Sequence, residues 1–282
     1  MYNGLVEKKV TLCEAGVGTG KTMAYLAAAF VASRMDGTYQ YAANPITIST
    51  SSIDLQREIM EKEIPRLSQV LQNAGILDRP LRAILRKGKE HYFCLRRYHD
   101  YVNGLMDAGE QYSDTLCLLD MLNLPVRGFD LDTVQLPSYV KAKICANGSC
   151  RQCGYRNQCR YAQFLKQASA TRKFDFQITN HNLLLTSQRL KNSTGHGVLL
   201  DSNYYIIDEA HQLLEAANSV YGAEIMQNTI PDLLDSVKYA SKDKHVRKQY
   251  RQLLAKTLEK NADIFRNIGL CLDDGEDRCT IE

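Results

Sequence analysis

Glu14-Ala15-Gly16-Val17-Gly18-Thr19-Gly20-Lys21-Thr22 is a glycine-rich turn that ends in Gly-Lys-Thr. Before it, Val10-Thr11-Leu12-Cys13 is a short β-favouring run, and after it Met23 to Ala32 is alanine-rich and helix-favouring. Strand, glycine-rich loop and helix are the context in which backbone N–H groups converge on a phosphate. Gly16, Gly18 and Gly20 let the chain turn, and the helix dipole adds positive potential at the same point. Lys21 is placed to reach β- and γ-phosphates and Thr22 to set its hydroxyl on Mg²⁺. Ala15 stands where the general pattern has its first glycine.

Much later in the chain, Tyr204-Tyr205-Ile206-Ile207 carries no charge and is followed by Asp208-Glu209-Ala210-His211. The apolar run predicts a fully buried strand of a parallel sheet. Asp208 at its end is expected to hold Mg²⁺ directly or through water. Glu209 is the candidate base or positioner for an attacking water, and His211 the candidate sensor of the γ-phosphate. An Asp-Glu pair after a strand is weak by itself and gains its meaning from the phosphate loop.

Together, Ala15-x-x-Gly18-x-Gly20-Lys21-Thr22 and Asp208-Glu209-Ala210-His211 resemble motifs I and II of superfamily 2 helicases, in which alanine is common at the first loop position. Ile46-Thr47-Ile48-Ser49-Thr50-Ser51, with Leu55-Gln56, resembles motif Ia, a strand and loop that touch the nucleic-acid backbone. Gln177-Ile178-Thr179-Asn180-His181-Asn182-Leu183-Leu184-Leu185 is similar to the strand-plus-Asn-His segment that precedes the acidic box in the XPD/DinG family. The blocks run in the family's order from about residue 10 to 215. The resemblance implies an ATP-dependent DNA helicase of the DEAH-box kind, acting in DNA repair and moving 5′ to 3′ on single-stranded DNA. Its nucleotide site would comprise Ala15, Gly16, Gly18, Thr19, Gly20, Lys21, Thr22 and Asp208, with Lys21, Asp208, Glu209 and His211 in the chemistry.

Nine cysteines occur without a secretory signal or an apolar run long enough to cross a membrane. The expected compartment is the cytoplasm, where clustered cysteines bind metal more often than they form disulfides. Cys145, Cys150, Cys153 and Cys159 fall within fifteen residues, and Cys94 follows an aromatic pair in Gly88-Lys89-Glu90-His91-Tyr92-Phe93-Cys94. By themselves these spacings leave open reduced thiols, zinc on Cys145, Cys150, Cys153 and Cys159, and a 4Fe–4S cluster. The resemblance decides for the 4Fe–4S cluster, because the family places one cysteine after a Gly/basic/aromatic segment and three near a following helix. The implied ligands are Cys94, Cys150, Cys153 and Cys159. Cys145 competes with Cys150, which its compact loop favours. Cys117 is expected in the core of a helix, and Cys13, Cys271 and Cys279 have no partners at ligand spacing.

The net charge of +3 does not announce a nucleic-acid binder, but its distribution is uneven. Thr133 to Phe174 holds eight Lys/Arg (Lys141, Lys143, Arg151, Arg156, Arg160, Lys166, Arg172, Lys173) and no Asp or Glu. Arg79 to Arg97 holds seven basic residues against Glu90 alone. Interleaved with Tyr92, Phe93, Tyr155, Tyr161 and Phe164, these charges suit single-stranded DNA, by phosphate contact and base stacking.

The expected fold class is α/β: a RecA-like parallel sheet with helices on both faces, interrupted by a helical iron–sulfur insert and followed by a partial helical arch. Strands are expected at Val10–Cys13, Ile46–Thr50, Leu81–Leu85, Phe174–Thr179 and Tyr204–Ile207, and helices at Lys21–Arg34, Ile53–Glu63, Pro231–Tyr239 and Val246–Lys260. The expected parts are 1–90 and 171–220 for the two pieces of the ATP-binding domain, 91–170 for the insert and 221–282 for the arch. In such a sheet the loop and the acid box meet at the strands' carboxyl ends. The second RecA-like domain, with its arginines for the γ-phosphate, and the family's upstream adenine-reading glutamine are expected to be missing from these residues. The resemblance implies DNA junctions as partners, and no membrane.

Overall fold

The computed structural model describes residues 1–16, 18–35, 44–109, 114–147, 150, 153–169, 173–222, 230 and 244–270. Residues 1–221 form one compact unit and residues 222–282 a second.

The first unit is built on four parallel strands, β1 (Ile46–Thr50), β2 (Ala83–Leu85), β3 (Phe176–Asn180) and β4 (Tyr205–Ile207), in the order β2-β3-β1-β4. Every residue of β1 is buried, and Ile46, Ile48, Phe176 and Ile178 line one face of the two central strands. Helix α1 (Tyr2–Val6) precedes the phosphate loop and α2 (Lys21–Met35) follows it. Leu26, Ala29 and Phe30 of α2 pack on the apolar sheet face, joined by Ile59, Ile64 and Leu67 from the helices after β1. A parallel sheet covered by helices is an α/β architecture consistent with a RecA-like fold.

The helical run after β1 is longer than its sequence pattern implies. Ser52 caps α3 (Ile53–Glu58) by accepting from the Leu55 amide at 3.1 Å. A π-helical turn (Ile59–Glu63) then leads into α4 (Ile64–Asn73), which carries Pro65 in its first turn. Proline lacks an N–H and crowds the carbonyl four residues back, so the wide turn sits where the chain must accommodate it.

Two expected strand features are overturned. Val10–Cys13 forms no strand: Val10 is 98% and Leu12 91% exposed. Among the described residues the sheet consists of β1 to β4 alone and Val10–Cys13 pairs with none of them, and β-propensity without pairing makes no strand. For the same reason Tyr204–Ile207 is not fully buried. It is an edge strand, and Tyr205 is 47% exposed.

The stretch between β2 and β3 leaves the sheet and makes its own core. It contains α5 (Leu95–Asp107), α6 (Asp114–Leu122), α7 (Leu124–Arg127), α8 (Ser138–Ile144) and α9 (Arg160–Ala168). Tyr92, Phe93, Leu119, Leu131, Ile144 and Tyr161 are buried together there. The chain re-enters the sheet through Asp175, which takes a bidentate bond from Arg79 at 2.8 Å on each oxygen and accepts from the Arg82 amide. After β3, Asn180 caps α10 (His181–Thr194) by accepting from Leu183 N at 2.8 Å. Helix α11 (Leu213–Tyr221) closes the unit. In the second unit, Val246–Lys260 falls within one long helix, α12 (Lys244–Leu270). Pro231–Tyr239, Arg151, Arg172, Cys271 and Cys279 lie outside the described residues.

Candidate nucleotide site and the cysteine insert

The loop before α2 has the backbone a phosphate cradle needs. Gly18 and Gly20 adopt φ of +78° and +76°, a region where any side chain would be strained. Thr19 Oγ1 donates to the Gly16 carbonyl at 2.8 Å and closes the turn. Helix α2 starts at Lys21, so its unpaired N–H groups and dipole point into the loop.

The acid box meets this loop. Asp208 follows β4, donates its amide to Ser49 O at 2.8 Å and is buried. Tyr25 OH donates to Asp208 Oδ2 at 3.2 Å. Burial, and then the Asp208 charge, push the Tyr25 phenol far above its ordinary range, which keeps it a donor. Tyr25 therefore ties helix α2, which carries Thr22, to Asp208; Thr22 and Asp208 are the two residues expected at Mg²⁺. Sequence reading gave Tyr25 no role, although it lies one helical turn after Thr22 and shares its face.

Glu209 sits in the left-handed region at φ +52°, which a non-glycine residue enters only at a cost. Its Oε1 lies 2.6 Å from Lys21 Nζ. That bond raises the Lys21 pKa and lowers the Glu209 pKa, against a smaller opposing effect of burial at each. His211 is exposed in the short 3₁₀ turn Ala210–Gln212, with Nδ1 3.5 Å from Glu209 Oε2. Lys21, Thr22, Asp208, Glu209 and His211 thus lie at one end of the sheet, and Ala15, Gly16, Gly18, Thr19 and Gly20 form the loop leading to it.

His181 lies beneath this group. Ser49 Oγ is 2.7 Å from its Nδ1. Burial lowers its pKa, while the backbone carbonyls of Asp208 and Glu209 and then the Asp208 charge work the other way.

Cys94, Cys150 and Cys159 pack in or against the core of the insert. Burial, and then the neighbouring Cys159, Cys94 and Cys153, raise the Cys150 pKa, which Arg96 opposes. Cys94 and Cys159 occupy the N-cap positions of α5 and α9, and neither thiol caps its own helix. A thiolate at a helix N-terminus is stabilised by the positive end of the dipole. Cys145 is differently engaged: Arg97 donates to its carbonyl at 2.7 Å, and its thiol donates to Ala142 O. Among the described residues no group of three or more His, Cys, Asp or Glu is drawn together tightly enough to hold a metal ion. Cys117 is exposed on α6 rather than in a core, because that helix buries Leu119 instead.

The rings of the insert are mostly core rather than a stacking platform. Tyr92, Phe93 and Tyr161 are buried, and Tyr92 stacks on Tyr161 with centroids 4.7 Å apart. Tyr155 alone of the five expected rings is exposed, stacked on His99 at 5.3 Å. Several expected surface cations are also engaged inside. Lys87 is buried between Asp130 and Asp132, Arg86 donates to the Val198 carbonyl, and Arg97 bonds the end of α8. Lys143, Arg156, Arg160 and Lys166 remain on the surface.

Fold and site define a phosphate-loop RecA-like α/β domain carrying a cysteine-bearing insert. No protein-family model matches the chain. Over most of its length it is similar to proteins named YoaA and DinG. It is 29% identical over 260 residues to the ATP-dependent DNA helicase YoaA of Escherichia coli K12, covering 90% of this chain and 38% of that protein. It is 27% identical over 237 residues to the ATP-dependent helicase DinG of Mycobacterium tuberculosis H37Rv (77% of this chain, 33% of the relative). It is 28% identical over 224 residues to the protein named 3′-5′ exonuclease DinG of Bacillus subtilis (78% of this chain, 22% of the relative). The chain therefore spans well under half the length of these relatives. No helix among the described residues is long and apolar enough to cross a membrane.

Proposed function

We propose that this chain is the first motor domain of an ATP-dependent DNA helicase of the DinG/XPD kind, acting 5′ to 3′ on single-stranded DNA in DNA repair in the cytoplasm. The reading rests on the convergence of Lys21, Thr22, Asp208 and Glu209 at the carboxyl end of one parallel sheet. Residues 1–90 and 171–220 form the ATP-binding domain, 91–170 the insert and 221–282 part of an arch. The loop amides and Lys21 bind the β- and γ-phosphates. Thr22 and Asp208 would hold Mg²⁺, with Asp208 tied to helix α2 by Tyr25. Glu209 leaves Lys21 and orients the attacking water, and His211 answers to the γ-phosphate. A second RecA-like domain, outside these residues, supplies the remaining charge, and closure of the two domains drives movement along DNA. The relatives' names support helicase activity for proteins much longer than this chain.

The insert holds a 4Fe–4S cluster on Cys94, Cys150, Cys153 and Cys159 and meets the DNA junction. The packing of Cys94, Cys150 and Cys159 around one core and the N-cap positions of Cys94 and Cys159 support thiolate ligation. The cluster, when bound, supplies a rigid cross-link between α5, the Cys150–Cys153 loop and α9. Zinc on a Cys-x2-Cys half-site is the alternative content.

The test is Lys21→Ala in the complete gene product. Lys21 is the point charge aimed at the transferred phosphoryl, so DNA-stimulated ATP turnover is abolished while the fold, followed by circular dichroism, persists. Near-wild-type turnover in a folded variant overturns the assignment.

A further inference from the structure

His181 has one ring nitrogen engaged and one idle. It is 3% exposed, its Nδ1 meets Ser49 Oγ at 2.7 Å, and its Nε2 has no hydrogen-bond partner among the described residues. Buried polar groups are nearly always paired, so an idle one at a site points to a partner. Ser49 has a hydroxyl hydrogen to give and Nδ1 can accept it, which leaves the ring proton on Nε2.

The candidate partners are adjacent. Asp208 N–H is bonded to the carbonyl of Ser49, the residue that holds the ring, at 2.8 Å, and the Asp208 and Glu209 carbonyls act on the ring although neither meets Nε2 in hydrogen-bonding geometry. Carbonyls only accept, so they match an N–H. The loop that carries them is also held by Lys21, whose Nζ grips Glu209 Oε1 at 2.6 Å, and the Glu209 backbone is in the left-handed region. A phosphate that takes Lys21 removes that grip. The loop can then settle toward the ring.

We propose that His181 is a positioning residue: when nucleotide occupies the phosphate loop, its Nε2–H donates to the Asp208 or Glu209 carbonyl and ties the acid loop to strand β1 through Ser49. The inference rests on the nucleotide-site reading. It assigns to the middle of the Asn180-His181-Asn182 segment a role that neither motif supplies, and it makes β1, which runs on into the Ser51–Ser52 turn, part of the same linkage.

The test uses the 282-residue chain with ¹⁵N-labelled histidine imidazoles, the His181 signals being assigned by their loss in His181→Gln. The chain is titrated with Mg²⁺ and the β,γ-imido analogue of ATP, and binding is followed separately by displacement of a fluorescent nucleotide. On saturation the Nε2–H proton should move downfield and its exchange with water should slow at least ten-fold, while Nδ1 remains an acceptor. His181→Leu should weaken analogue binding several-fold. His181→Gln, which returns a donor near the Nε2 position, should stay within two-fold of wild type. A purely structural histidine would alter the melting temperature of both variants and leave the Nε2–H signal indifferent to nucleotide. Saturation without a change at Nε2–H therefore overturns the inference and leaves the nucleotide site standing. Failure of the wild-type chain to bind the analogue at all overturns the nucleotide-site reading, and this inference with it.

Discussion

Lys21 Nζ and Glu209 Oε1 stand 2.6 Å apart although 188 residues separate them in sequence. On the proposed nucleotide-site reading, the two charges that the chemistry needs for different partners are paired with each other. A phosphate would then have to compete with Glu209 for Lys21, and Glu209 would become available to water only when that competition is won. The pair is partly exposed, with 33% and 27% of the side chains accessible, so the competition is mild and reversible.

Glu209→Gln should therefore separate binding from turnover. Removing the charge frees Lys21, and Mg-ATP affinity should rise about two- to five-fold, the range expected for losing an exposed ion pair as competitor. Turnover in the complete gene product should fall by a hundred-fold or more, about what a missing water-orienting group costs. Fluorescent-nucleotide titration and a phosphate-release assay read the two effects. Weaker binding in the variant would mean that Glu209 assists the phosphate site rather than competes with it.

Anaerobically purified protein should be brown, absorb near 400 nm and contain about four irons per chain, as thiolate-bound clusters do. Cys159→Ser removes a thiol at the N-terminus of α9 and should lose the colour and loosen the insert. Cys145→Ser should keep it, because Cys145 faces Ala142 and Arg97 instead of Cys150. Elemental analysis decides: stoichiometric zinc without iron supports the Cys-x2-Cys alternative.

The parts of this architecture legible in sequence are those set by local pattern. Ile46–Thr50 is read as a strand and forms one, and the Gly18-to-Thr22 turn carries its own geometry in the glycines. What pattern leaves out is decided by neighbours. Val10–Cys13 has strand composition but no strand beside it. Tyr92, Phe93 and Tyr161 sit among basic residues in sequence, yet a helical insert this small needs their area for its core. Tyr25 and His181 were invisible as site residues for a related reason. Tyr25 acts through Asp208 and His181 lies under Glu209, and both partners arrive from about residue 208.

Asp175 anchors the return of the insert to the sheet and should dominate one acid-sensitive part of stability. Burial alone would raise its pKa. The bidentate Arg79 bond, the Arg82 amide and the Arg79 and Arg34 charges outweigh burial and hold it below the usual carboxylate range. The native state thus binds this proton less readily than the unfolded chain. The stabilisation is complete above the unfolded pKa and lost as pH falls through the lower native one. Asp175→Asn should cost roughly 3 kcal/mol, the scale for breaking a buried charged pair. Urea unfolding should show that deficit constant from about pH 5 to 7 and shrinking below about pH 4, where wild type loses the same interaction. A deficit independent of pH down to about pH 3 would assign the effect to packing.

Residues 1–282 tested alone should bind without unwinding. Arginines reaching the γ-phosphate from a second domain contribute about 10³–10⁵ in rate in phosphate-loop enzymes. Residues 209–282 carry no Gln-x-x-Gly-Arg-x-x-Arg-like segment that could stand in for them. On the proposed reading, the phosphate loop and Lys21 should still offer a nucleotide a weak site. Lys143, Arg156, Arg160 and Lys166 are exposed on the insert and give single-stranded DNA an electrostatic foothold. If about four phosphates are met, log K should fall with log salt at a slope of about −3, and Lys143→Glu with Lys166→Glu should flatten it by about 1.4. With most rings buried, base stacking adds little, so poly-dT and mixed sequences should bind alike. Fluorescence anisotropy across a salt series, beside a strand-displacement assay with ATP, checks all three statements. Robust strand displacement by this chain would show that the γ-phosphate charge comes from within residues 1–282. A salt-independent affinity would remove the insert's surface cations from the DNA path.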